Sequence, residues 1–231
     1  MSRRTGTTPG SPPPRFPGFD VLAQVDHWDD TTTATVLSRM GPPASIAFFT
    51  ADEEPTARAL LDRLLGQDDE PRVPVLELID ARLRTGEGDG YRYEAMPADD
   101  DAWRASLAAL DATARSRTGR RFHELGVPAQ MALVEEVRCC DGCWHGLPAT
   151  RLFSLWMRYA SDAFYSHPWA WNEIGFGGPA YPRGYSNLGL DRRESWERVE
   201  VDARDPVPWV VRADRAKAKH AGQVGPTGAG P

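Results

Sequence analysis

The middle of the chain, between residues 45 and 165, has apolar residues spaced three or four positions apart. This spacing is typical of helices that bury one face, and it predicts a compact bundle of about five helices. Threonine caps the first turn of a helix, and proline fits within that turn. The predicted helices therefore begin near Thr50, Pro74, Pro97, Pro128 and Pro148. The pattern indicates a mainly α-helical fold.

The first and the last of these helices have the clearest signals. A capping-box sequence starts at Thr50, and Phe48 or Phe49 stands in the position of a hydrophobic staple. Glycine ends helices readily, so we expect this helix to stop at Gly66. The last helix follows Pro148 and has large apolar residues on more than one face. It is therefore predicted to be the central helix of the bundle.

The second, third and fourth helices each show one apolar stripe, and the second is expected to end near Gly86. The residues expected to face the core are Val75, Ile79 and Leu83, then Trp103, Leu107, Leu110 and Ala114, then Met131, Val134 and Val137.

An aromatic segment rich in glycine and proline, residues 166–195, follows the last helix. No simple period runs through it, so the pattern predicts a long irregular loop rather than an amphipathic helix or an alternating strand. A loop this apolar either packs on its own domain or is completed by a partner.

The flanks of the chain have weaker patterns. Residues 1–18 are rich in proline, glycine, serine and threonine and are expected to be a disordered lead. Residues 19–40, the N-terminal strap, mix apolar residues with aspartate and threonine and are expected to be extended or partly helical. Residues 196–231 are predicted to be an extended tail, with short strands at 199–201 and 207–211 and a disordered end. A single helical domain is expected over residues 19–195.

Composition excludes several classes of protein. Of the 231 residues, 41% are hydrophobic and 26% are charged, which is usual for globular proteins. The net charge of −6 argues against nucleic acid as a partner, because phosphates require a basic surface. No apolar run is long enough to predict membrane insertion. Arg3-Arg4 is not followed by the apolar region of an export signal, so we expect a cytoplasmic protein, or one exported only with a partner that has the signal.

The sequence predicts no catalytic, cofactor-binding or metal-binding residue in this chain. Nucleotide-binding glycine motifs and the serine nucleophile motif are missing from the sequence. The histidines are scattered, without the spacing of a metal site. His167 is the best single candidate for chemistry, and we interpret it as structural, with its ring between aromatic residues and bonded to a backbone carbonyl.

Three cysteines, Cys139, Cys140 and Cys143, stand close to His145. One hypothesis is that this cluster makes the chain a stand-alone metal-binding or redox protein. A zinc site normally needs four ligands from two separated pairs, and no second cysteine pair exists in the sequence. We therefore favour free thiols at a turn that leads out of a helix.

The aromatic segment resembles a known protein family. Its motifs are Tyr165-Ser166-His167-Pro168 and the run from Trp171 to Tyr185. They resemble the C-terminal signature of the gluconate 2-dehydrogenase subunit 3 family. The segment from Phe48 to Glu54 and the motif Leu78-Ile79-Asp80 resemble the first two helices of that family, so the resemblance covers roughly residues 45–190.

The resemblance implies a small accessory subunit without a cofactor of its own. Its partner would be the large subunit of a flavin-dependent sugar or sugar-acid dehydrogenase of the glucose-methanol-choline type, with FAD in that partner and with or without a cytochrome subunit. We expect the aromatic segment to provide the contacts, some of its residues pinning it to the last helix and others facing the dehydrogenase. The predicted partner-binding residues are His167, Trp169, Trp171, Asn172, Phe176, Tyr181, Arg183 and Tyr185.

Overall fold

The computed structural model of the chain describes residues 15–67 and 72–182, together with Gly184, Arg192 and Val199. The mainly helical fold is confirmed. The α-helices are α1 (Asp30–Ser38), α2 (Glu53–Leu65), α3 (Val75–Thr85), α4 (Asp99–Thr118), α5 (Val127–Cys139), α6 (Ala149–Tyr165) and α7 (Pro168–Ile174). Short 3₁₀-helices occur at Val21–His27 and Phe122–Glu124, and a hairpin pairs β1 (Cys143–Trp144) with β2 (Leu147–Pro148).

The start of α2 confirms the predicted capping box. The backbone N–H of Glu53 donates to Oγ1 of Thr50 at 3.2 Å, and the N–H of Thr50 donates to Oε2 of Glu53 at 2.9 Å. Two N–H groups that the first turn leaves without helical partners are thereby satisfied. The helix ends at Gly66 in the left-handed conformation, with a φ of 63°, as the sequence predicts.

The helix α6 lies at the centre of the bundle, as expected from its apolar faces. It contacts α2, α3, α4, α5 and α7. Its Trp156 is fully buried, and the indole N–H donates to Oγ of Ser106 on α4 at 3.1 Å. Tyr159, one turn further on, meets the edge of the Trp103 ring at a centroid distance of 5.9 Å. These pairs join the two longest helices through the core.

One predicted core residue of α5 is wrong. Met131 is 46% exposed, whereas Gln130, Leu133 and Val137 are buried with Val134. The buried positions follow the spacing i, i+3, i+4 and i+7 of a helical face. The predicted residues 131, 134 and 137 are three positions apart, whereas a helical turn has 3.6 residues. Successive members therefore shift around the helix, and Met131 lies on the solvent side.

A buried carboxylate fastens the entry to α2 onto α3. Asp80 is 2% exposed and accepts hydrogen bonds from the backbone N–H groups of Ala47, Phe48 and Phe49, at 2.8–2.9 Å. These N–H groups precede the helix and have no strand to pair with. The Asp80 carboxylate therefore accepts the hydrogen bonds that a neighbouring strand would otherwise accept. These bonds hold the backbone of Phe49, whose side chain lies in the core.

The hairpin after α5 was not expected from the sequence. Trp144 pairs with Leu147, and the turn between them is His145-Gly146, with φ values of 47° and 82°. A two-residue hairpin turn with positive φ at both positions is of the type that follows the twist of the strands. Histidine replaces the usual asparagine or aspartate at the first position, so the common turn signal is missing.

The aromatic segment and the N-terminal strap are more helical than predicted. Residues 168–174 form α7, and most of the strap forms the first 3₁₀-helix and α1. Pro168 fits the first turn of α7, and His167 caps it. A helix of seven residues is too short to show a period, which explains the expectation of an irregular loop. Arg183, Tyr185 and the predicted strands of the tail lie outside the described residues, apart from single positions.

Candidate functional site

The strap packs on α7 and makes a second hydrophobic cluster, separate from the main core. Its buried members are Val21, Trp28, Val36 and Trp171, with Phe19, Leu22 and Val25 partly buried around them. Only Trp171 comes from outside the strap. A cluster this small owes its order to few contacts, so each of them matters for the shape of this corner of the molecule.

Trp171 is the centre of the cluster. It is 5% exposed, and its indole N–H donates to the backbone carbonyl of Tyr165 at 2.6 Å. Its ring meets Phe176 edge-on at a centroid distance of 5.5 Å, and the guanidinium of Arg39 lies 5.9 Å from its centroid. Arg39 also donates to the carbonyl of Ser166 at 2.7 Å. Trp171 thus links α1, the end of α6 and the residues that follow α7.

His167 has a structural role at the start of α7. It is 3% exposed, and its Nδ1 accepts a hydrogen bond from the backbone N–H of Trp169 at 3.2 Å. The imidazole meets the Trp169 ring edge-on at 4.9 Å, in agreement with the expected aromatic contact. The ring accepts in this bond, and the expected bond to a backbone carbonyl stays a prediction. The acceptor role fixes Nδ1 as the unprotonated nitrogen.

Asn172 and Gly178 tie the strap to α7 and its exit, and Gly175 packs on Phe16, which precedes the strap. Oδ1 of Asn172 accepts from the N–H of Val21 at 2.8 Å, across 151 positions of sequence. A Cβ on Gly178 would lie 2.5 Å from Cζ2 of Trp28, and one on Gly175 would lie 2.6 Å from the Phe16 ring. Both glycines have positive φ, so their conformation and their contacts each favour glycine.

The structure divides the predicted partner-binding residues. His167, Trp171 and Asn172 make the internal contacts described above, and Trp169 is partly buried against the main core. Phe176 and Tyr181 are 39% and 65% exposed. Arg183 and Tyr185 lie outside the described residues, so the prediction for them is untested.

Three further exposed apolar residues border the same corner. Leu37 on α1, Tyr165 at the end of α6 and Ile174 on α7 are 40–49% exposed. Together with Phe176 and Tyr181 they form what we call the aromatic corner. These three were not among the predicted partner-binding residues, because the spacing of apolar residues along a helix does not show which of them stays exposed. These residues lie on segments that contact Trp171 or directly follow them, and exposed large apolar residues on such segments are typical of a contact surface.

The cysteine cluster gives no support to the metal-binding or redox alternative. Cys139 and Cys143 are exposed, and Nε2 of His145 lies 2.8 Å from Oγ1 of Thr113. Within residues 15–67 and 72–182, no three histidine, cysteine, aspartate or glutamate side chains are arranged to hold a metal ion. The hydrogen bond to Glu135 raises the pKa of the Cys139 thiol. A raised pKa reduces the thiolate population and hence the reactivity of the thiol.

Comparison with known families identifies the family of the chain. The model of the gluconate 2-dehydrogenase subunit 3 family matches residues 51–178. The chain belongs to this family. No curated protein and no solved structure shows a match to the chain. In the described part of this family member, no helix is long and apolar enough to cross a membrane.

The second hydrophobic cluster has one part inside the range matched by the family and one part before it. The matched range includes α2 to α7 and ends at Gly178, whereas the whole strap precedes it. Trp171 lies in the family part, and the residues that bury it lie in the strap. In this member of the family, the surface next to α7 is therefore built from both parts.

Proposed function

We propose that the protein is a non-catalytic small subunit that binds the large subunit of a flavin-dependent dehydrogenase and stabilises or matures it. The large subunit is of the glucose-methanol-choline type, acts on a sugar or a sugar acid and holds the FAD. A cytochrome subunit is an optional third member of the complex. Membership of a family named as a subunit of gluconate 2-dehydrogenase supports the proposal at the level of a complex. The cytoplasmic location expected from the sequence stays a prediction.

The observation that best supports partner binding is the aromatic corner. Phe176, at 39% exposure, contacts the buried Trp171, and Tyr181, at 65%, follows the Gly178 that packs on Trp28. Aromatic side chains on an ordered support lose little conformational freedom when a partner covers them. Tyrosine is also among the residues that contribute most to binding energy at protein interfaces.

The test is co-expression with glucose-methanol-choline-type large subunits of the same genome, followed by purification through a tag on the small subunit. The variant is Phe176→Ala with Tyr181→Ala, and the matched control is Val127→Ala with Met131→Ala, a pair of exposed apolar residues on α5. Each interface aromatic is worth about 2 kcal/mol, so the double variant should bind at least tenfold more weakly. Retained flavin absorbance in the purified complex is the readout.

Two results would contradict the proposal. One is that the unaltered protein retains no flavoprotein from any of these large subunits. The other is that the double variant and the control retain equal amounts, which would place the interface away from the aromatic corner. Circular dichroism of each variant shows whether the helices are intact.

A further inference from the structure

A second exposed aromatic pair lies far from the aromatic corner, on the loop between α3 and α4. Tyr91 and Tyr93 are 60% and 44% exposed, and their rings meet edge-on at a centroid distance of 5.9 Å. Neither residue belongs to the predicted contact region. Tyrosine combines an apolar ring with a polar tip, so a pair of exposed tyrosine rings in contact is suited to an interface.

This loop is ordered by arginines from the neighbouring helices. The Nε–H of Arg82 donates to the carbonyl of Glu87 at 3.0 Å, and Asp89 pairs with both Arg82 and Arg158. Arg158 also reaches the hydroxyl of Tyr91, at 3.4 Å. The tyrosines are thus presented on a fixed backbone rather than on a loose loop.

Arg151, near the start of α6, lies over one ring of the tyrosine pair. Its guanidinium carbon lies 3.9 Å from the centroid of the Tyr93 ring. Arg151 is exposed, and among the described residues it has no carboxylate within the distance of an ion pair and donates no hydrogen bond. Arg158 and Arg82 differ, since each is paired with two aspartates. The contact holds the exposed guanidinium over the Tyr93 ring, and no described residue accepts from its N–H groups.

We propose that Tyr91, Tyr93 and Arg151 form a second docking point, at which Arg151 binds a carboxylate of an acidic segment on the dehydrogenase large subunit. A planar guanidinium with free donors matches a carboxylate in a two-pronged pairing. The inference rests on the proposed function for the identity of the partner. Its charge argument is independent, because an exposed guanidinium without a carboxylate partner among the described residues favours an acidic group.

The shape of the surface favours a protein over a small carboxylate. Small molecules bind in concave sites that cover most of their surface. Of the clefts in the described part of the chain, one lies against α2 and α3 and another against the β-hairpin, and neither is lined by Arg151 or by the two tyrosines. Exposed tyrosines beside an arginine have the composition of an interface hot spot.

The two docking points are compatible with one interface. Arg151 lies near the start of α6 and Tyr165 at its end. A helix rises 1.5 Å per residue, so the two positions are about 20 Å apart along the helix. A standard interface covers about 800 Å² on each partner, which spans that distance.

The test compares Arg151→Ala with Arg120→Ala in binding to the large subunit. Arg120 follows α4 at the end remote from Asp99, is exposed and has no carboxylate partner among the described residues, so its loss removes the same charge elsewhere. We expect Arg151→Ala to raise Kd about tenfold or more at low salt, and to weaken the dependence of Kd on salt. Arg151→Lys should restore the salt dependence and only part of the affinity, since lysine cannot pair in the two-pronged geometry.

Three results would overturn the proposed docking point, and each has a different meaning. Equal Kd values for Arg151→Ala and Arg120→Ala, with the unaltered protein bound to the large subunit, would overturn the docking point and leave the proposed function intact. Competition by free gluconate would show a small carboxylate at Arg151 instead. A monomer produced from a dimer by Tyr91→Ala with Tyr93→Ala would show a second copy of this chain at the site. Unchanged melting temperatures of the variants ensure that folding is not the cause.

Discussion

Replacing Gly178 with alanine would place a methyl group where the Trp28 ring lies. The Cβ would be 2.5 Å from Cζ2 of Trp28 and 3.2 Å from Cγ2 of Val21. Carbon atoms in contact prefer about 3.5–4.0 Å, so the ring must move by about 1 Å or more. Because Trp28 is 7% exposed and packed within the strap cluster, it has no free space to enter. We expect Gly178→Ala to release the strap from α7.

The free-energy cost of Gly178→Ala has two parts, backbone strain and displacement of the Trp28 ring. Alanine at a φ of +79° is strained by about 1–2 kcal/mol. Displacing a large buried side chain costs about 1.5–3 kcal/mol more. The two costs add to about 2.5–5 kcal/mol. The observed loss cannot exceed the free energy with which the strap docks, because the strap can leave while the main core stays folded.

Gly119→Ala is the matched control. Gly119 has a φ of +74°, and a Cβ there would meet nothing within 4 Å, so only the strain of about 1–2 kcal/mol applies. Limited proteolysis followed by mass spectrometry should show cleavage within residues 19–40 of Gly178→Ala, at a protease concentration that spares the control. If both variants protect the strap equally, the packing of Trp28 on Gly178 is not what holds it.

Two other changes test the fold and the cysteine cluster. Asp80→Ala removes the acceptor of three backbone N–H groups, of which that of Phe49 is buried, and should lower the free energy of unfolding by about 1–3 kcal/mol in urea, whereas Asp80→Asn keeps one acceptor oxygen and should cost less. Equal losses would show that these bonds contribute little. Replacing Cys139, Cys140 and Cys143 together with serine should leave the melting temperature and partner binding unchanged. Stoichiometric zinc in the unaltered protein, lost in the variant with a collapse in melting temperature, would instead establish a metal site.

Sequence reasoning was most successful where the signal is local. The capping box at Thr50 and the glycine stop at Gly66 depend only on residues within one helical turn, and both are confirmed. The central position of α6 follows from its apolar faces, which can be read from the order of residues within that one helix. Local rules of this kind do not require knowledge of which segments meet.

The features that sequence reasoning missed depend on contacts between distant segments. Asn172 bonds to Val21 across 151 positions, and Asp80 bonds to residues that precede it by more than thirty. No spacing along the chain reveals such pairs. The short helix α7 was missed for a related reason, since its order depends on the His167 cap and on burial of Trp171 under the strap.

The division of the aromatic residues decides which substitutions can report on partner binding. Trp171 was predicted to face the partner, yet it is 5% exposed and its indole N–H is satisfied within the chain. Truncating a buried tryptophan costs about 3–5 kcal/mol, so Trp171→Ala would disturb the corner before any partner arrived. Tyr181 is 65% exposed and can be truncated without opening the cluster. Weaker binding of a Tyr181 variant therefore reports on the interface, whereas weaker binding of a Trp171 variant reports first on the support beneath it.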